Sequence, residues 1–150
     1  PVFTGEVVIT GKKRMVMVDI HRAGDEGQHD DNTLFDRMIQ IRDRYPALLQ
    51  KSGALQGEIQ SVFSRAAVQS RITEAQDDDA RGIFREYLNV FLDLTQKTTP
   101  LTGGSLERAN NGFEKYLKTV VDHDPGVKGY KVLFGKESGV TRALDIFFDR

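Results

Sequence analysis

The chain opens on two runs dominated by apolar and β-branched residues, "EVVIT" at 6–10 and "RMVMVDI" at 14–20. Residues of this kind favour strands. In the second run, alternation puts Met15, Met17 and Asp19 on one side and Val16, Val18 and Ile20 on the other. The intervening "GKK" is a short loop with a glycine, which suits a hairpin. From residue 34 the period changes. Leu34, Phe35, Met38, Ile39, Ile41, Tyr45, Leu48 and Leu49 recur at helical spacing, and Asp31 or Asn32 is placed to cap the helix they predict. Pro46 lacks an N–H and should kink or split this helix near Tyr45.

After "KSG" at 51–53, the stripe Leu55, Ile59, Val62, Phe63, Ala66 and Ala67 predicts a second helix, running to about Ala75. "QDDDAR" at 76–81 opens a third, whose apolar face is Ile83, Phe84, Tyr87, Leu88, Val90, Phe91 and Leu94. "TTPLTGGS" at 98–105 is a loop. Ser105 can cap a fourth helix with the face Leu106, Ala109, Phe113, Tyr116, Leu117, Val120 and Val121. "DHDPG" at 122–126 ends that helix, because the residue before proline disfavours the helical region. "YKVLF" at 130–134 reads as a strand, "GKESG" as a turn and "VTRALDIFF" at 140–148 as a second strand.

The order is therefore hairpin, four helices, hairpin. Neither hairpin can bury its apolar face alone. The expected fold is α+β and helix-dominated, with the two hairpins forming one small antiparallel sheet against the helices. A four-helix bundle with peripheral hairpins is the alternative.

Composition narrows this picture. A length of 150 residues suits one globular domain, 1–150. Hydrophobic residues at 39% beside charged ones at 29% indicate a folded chain rather than a disordered one. The absence of cysteine excludes disulfides, thiolate metal sites and thiol nucleophiles. Lys and Arg number 21 against 22 Asp and Glu, so no basic surplus points to nucleic acid. No apolar run approaches the roughly 18 residues of a membrane span. A cytoplasmic location without membrane attachment is expected.

All three histidines sit beside carboxylates: "DIH" at 19–21, "HDD" at 29–31 and "DHD" at 122–124. Imidazole with carboxylate is a ligand mixture for a divalent metal and also a setting for acid–base work. His29 and His123 with Asp30 or Asp124 are the candidate ligands, and His21 is the substitute. Against this, acids just before a helix N-terminus are favoured by the dipole, which accounts for Asp30 and Asp31 without a ligand. The segment from Asp122 fails as a calcium loop, since Val127 and Leu133 stand where Gly and Glu are needed. "TPLTGGS" lacks the lysine spacing of a phosphate loop.

With no catalytic motif intact, the leading expectation is a non-enzymatic module that binds a protein partner or forms a homo-oligomer. The third helix motivates it: Phe84, Leu88, Phe91 and Leu92 widen its apolar surface beyond one stripe. Two other expectations remain. One is a metal-dependent or acid–base enzyme using the His/Asp clusters. The other is a small-molecule carrier with an apolar cavity among Phe35, Phe63, Phe84, Phe91 and Phe113.

Overall fold

A computed structural model describes residues 1–21, 32–49 and 57–148. Strands β1 (Val2–Thr10) and β2 (Lys13–His21) form the expected hairpin. Gly11 turns it at φ 59°, a left-handed conformation that suits glycine. A third strand, β3 (Val68–Ile72), pairs antiparallel with β2, giving the order β1-β2-β3. The helices are α1 (Asn32–Arg42), α2 (Asp77–Lys97), α3 (Gly103–His123), α4 (Pro125–Phe134) and α5 (Lys136–Phe148). The fold is α+β and helix-dominated with one small antiparallel sheet, as expected.

The alternation expected in β2 holds. Val16, Val18 and Ile20 are buried in one core with Val68 and Ile72 of β3, Met38 and Ile41 of α1, and Ile83, Tyr87 and Val90 of α2. The Tyr87 hydroxyl lies 2.7 Å from the Ala66 carbonyl and 3.1 Å from that of Met38, and donates to both. It thereby ties α2 to α1 and to the turn before β3. Pro46 splits the first predicted helix: α1 stops at Arg42 and a 3-10 turn, Pro46–Leu48, follows. Asp77, Asp78 and Asp79 fill the first turn of α2, where the dipole favours them. Arg14 reaches Asp77 at 3.2 Å.

Two expectations are corrected. The helix predicted to run from Leu55 to Ala75 is a 3-10 segment, Gly57–Val62, followed by a turn and β3. Its apolar residues fit a helical period, but Val68, Ser70 and Ile72 also alternate as a strand does, and all three are buried. Tertiary pairing decided between the two periods, because β2 is buried on both flanks only if a strand lies beside it. The C-terminal hairpin is also absent; its residues form α4 and α5. Asp124 accepts a hydrogen bond from the Val127 N–H at 3.0 Å, and Pro125 occupies the first turn, a pairing that starts a helix. "GKESG" joins two helices rather than two strands. Gly135 makes the break at φ 83°. At Gly139 a Cβ would stand 2.6 Å from the backbone N and Cα of Lys131, so α5 crosses α4 backbone to backbone. The exposed side chains of Val132 and Leu133 lend "YKVLF" its strand-like look. The sheet's third strand therefore comes from mid-chain, not from the C-terminus.

No helix among the described residues is long and apolar enough to cross a membrane.

Candidate functional site

The register of β1 on β2 sets Val2 opposite His21, Thr4 opposite Asp19 and Glu6 opposite Met17. These side chains share the sheet face turned away from α2. Across from them lies α3, with Tyr116, Leu117 and Val120 in a second apolar cluster that also takes Ile59, Val127 and Ala143. Val2, Phe63, Phe113 and Phe148 pack against that cluster. A polar patch is thus set into an otherwise apolar and aromatic layer.

Each polar group has a distinct environment. Asp19 is fully buried. It accepts from the Ser64 backbone N–H at 2.7 Å and from the Ser64 hydroxyl at 2.5 Å. His21 is 2% exposed. Its Nδ1 stands 3.3 Å from Asp19 Oδ2, and neither ring nitrogen has a hydrogen-bond partner among the described residues. The imidazole lies between the rings of Phe63 and Tyr116, at centroid distances of 5.4 Å and 5.1 Å. Burial pushes the Tyr116 phenol up to about 12; a hydrogen bond with the Thr4 side chain opposes this, and the charges of Asp124, Asp19 and Glu6 add to it. Burial also raises the Glu6 carboxyl above its ordinary value, and the nearby charge of Asp124 raises it further.

Chemically, this face can hold and release protons. Glu6 keeps its proton to a higher pH than a solvated glutamate, which suits a general acid. Tyr116 stays a neutral phenol and a fixed hydrogen-bonding group. Asp124 meets the positive end of α4 with its charge, so the proton of the pair belongs on Glu6.

The residues singled out from sequence divide as follows. His21 lies in this patch, and Asp124 acts on it through Glu6. His123 is the last residue of α3 and half-buried. His29 and Asp30 lie outside the described residues. Among the described residues no group of three His, Asp or Glu is placed to hold a metal ion. On α2, Phe84 and Phe91 flank the Phe3 ring at 5.4 Å and 5.7 Å, so β1 of the same chain covers them. Leu88 is half-buried, and Leu92 is 46% exposed. Glu6, Thr4, Ser64 and Tyr116 were not legible as a site. The available signal was Glu6 itself, a lone charge inside the apolar run "VFTGEVVI".

Known proteins resemble the chain along nearly its whole length. It is 21% identical over 154 residues to a phycoerythrobilin:ferredoxin oxidoreductase of Prochlorococcus marinus (strain MIT 9312), covering 99% of this chain and 61% of that protein. It is 24% identical over 131 residues to the protein of the same description from Synechococcus sp. (strain WH8020), covering 83% of this chain and 51% of that one. The chain thus spans about half to three fifths of the length of these curated relatives. In fold it is similar to phytochromobilin synthase from tomato, whose crystal structure is a complex with biliverdin. The TM-score is 0.79 at 19% identity, over 99% of this chain and 55% of that one.

The model of the family described as ferredoxin-dependent bilin reductase matches residues 1–149. This overturns the expectation of a non-enzymatic interaction module. The wide apolar surface of α2 that prompted that expectation is used mainly inside the chain, against β1 and the sheet. The chain belongs to the ferredoxin-dependent bilin reductase family.

Proposed function

We propose that this chain takes part in the reduction of a bilin, a linear tetrapyrrole, with electrons from reduced ferredoxin. The bilin lies against the polar patch of the sheet on the α3 side. The observation that carries this reading is Glu6, a half-buried carboxyl with a raised pKa, set beside Tyr116 and Asp124 in an aromatic layer. Reducing one double bond of a conjugated tetrapyrrole consumes two electrons and two protons. Ferredoxin supplies the electrons. Glu6 delivers a proton to the bilin as charge accumulates on it, and is reprotonated from solvent. Phe63 and Phe113 give apolar contact to flat rings, and Arg71, opposite Met15 on the same sheet face, is an exposed cation for the carboxylates that bilins carry. A cytoplasmic setting fits a cysteine-free chain that depends on a reduced electron donor.

The test is an anaerobic titration of the chain with biliverdin, followed by addition of reduced ferredoxin, both read by absorbance. Binding should perturb the bilin spectrum, and reduction should then shorten its conjugation. Glu6→Gln should bind biliverdin with similar affinity and lower the reduction rate by about 10²–10⁴-fold, the usual worth of a general acid. A chain that leaves the biliverdin spectrum unchanged at every concentration would remove the proposal.

A further inference from the structure

The patch contains one group that the chain itself leaves unsatisfied. His21 is 2% exposed, and both of its ring nitrogens lack hydrogen-bond partners among the described residues. Buried polar groups in folded proteins are almost always paired, so an orphaned imidazole calls for an explanation. The groups around it are already engaged. Both oxygens of Asp19 accept from Ser64. The Tyr116 side chain is hydrogen-bonded by Thr4. Phe63 and Tyr116 are ring neighbours of the imidazole and offer it packing.

The two nitrogens differ. Nδ1 stands 3.3 Å from the Asp19 carboxylate, which favours the proton on that side of the ring. In that tautomer Nε2 carries a lone pair and is an acceptor. Its missing partner is therefore an N–H donor. Bilins are rich in such donors along their pyrrole and lactam nitrogens. We propose that Nε2 of His21 accepts a hydrogen bond from a ring N–H of the bound bilin, and that Asp19, held by Ser64, fixes the tautomer that makes this possible. This rests on the bilin reading above. It assigns His21 to orientation of the tetrapyrrole, while proton delivery stays with Glu6.

Two substitutions and one spectroscopic measurement test it. His21→Phe keeps a ring between Phe63 and Tyr116 and removes both nitrogens. It should fold as well as the parent chain and bind biliverdin about tenfold more weakly, the worth of one hydrogen bond to a buried group. His21→Gln keeps an acceptor and should recover part of that loss. In the unsubstituted chain labelled with ¹⁵N-histidine, biliverdin should move the Nε2 resonance of His21 upfield, toward its protonated value. This last readout decides the matter if His21→Phe does not fold. Unchanged biliverdin affinity in His21→Phe, or an Nε2 resonance unmoved by saturating biliverdin, overturns the assignment and leaves the bilin reading standing. Failure of the unsubstituted chain to bind biliverdin removes both.

Discussion

The face of the sheet under α2 and the face under α3 differ in what they bury. Under α2 lie Val16, Val18, Ile20, Val68 and Ile72, closed over by Met38, Ile83, Tyr87 and Val90, and the one phenol there is satisfied by two backbone carbonyls. Under α3 the same strands present Thr4, Glu6, Asp19 and His21. Those groups are costly to bury, and one of them lacks partners. A strand with period two can serve both needs at once, since each residue commits to one face. The α2 face supplies stability, and the α3 face spends part of it on a site where pKa values are displaced.

Truncation should expose this difference most strongly. Ile83→Ala opens a cavity in the closed α2 core and should cost about 2–5 kcal/mol by denaturant titration. Leu117→Ala, on the α3 side, should cost clearly less, because its cluster is bounded by α4 and α5, which leave Val132, Leu133 and Ile146 in water. Equal losses would mean that both faces are packed alike.

Overpacking the α2 face should come next. A Cβ on Gly5 would stand 2.3 Å from Phe84 Cε2 and 2.9 Å from Phe3 Cε1. Gly5→Ala therefore forces two aromatic rings apart and should cost about 1–3 kcal/mol. The two tyrosines sharpen the same contrast. Tyr87→Phe leaves the Ala66 and Met38 carbonyls without their shared donor and should cost a similar 1–3 kcal/mol. Tyr116→Phe should cost less stability but change the bound-biliverdin spectrum. A spectral change from Tyr87→Phe and none from Tyr116→Phe would place the bilin on the wrong face.

Legibility from sequence followed the same division. The α2 face was readable because its pattern is local: Val16, Val18 and Ile20 alternate, and the stripe from Ile83 to Leu94 repeats at helical spacing. The segment around Val68 was misread because its period is compatible with helix and strand, and only the distant β2 resolves it. The C-terminal segment was misread because Val132 and Leu133 are apolar yet exposed, so composition pointed to a strand where Asp124 and Pro125 start a helix. The site was the least legible part. Asp19, Ser64 and Tyr116 are far apart in sequence, and the fold alone brings them together. The histidine clusters drew attention by proximity in sequence, and of them His21 is the residue set in the patch.

The smallest expected effect concerns Glu6, and it separates the two faces by pH. Burial and Asp124 raise its carboxyl above the ordinary 4.5 in the folded chain. The folded state therefore holds this proton at pH values where the unfolded chain has lost it. Stability depends on pH through the difference in bound protons, so over that window it falls as pH rises. Below the ordinary value both states are protonated and the penalty vanishes; above the raised value it is complete. Glu6→Gln removes the ionisation and keeps the shape. It should melt higher than the parent chain at pH 7 to 8, and the gap should close as pH drops toward 4. A matched substitution on the α2 side, Ile83→Val, should give a gap that does not change with pH. Melting curves at several pH values check both. A Glu6→Gln chain that is less stable than the parent at pH 8 would mean that the carboxylate is held by a cation there, and Glu6 would lose its role as the proton donor.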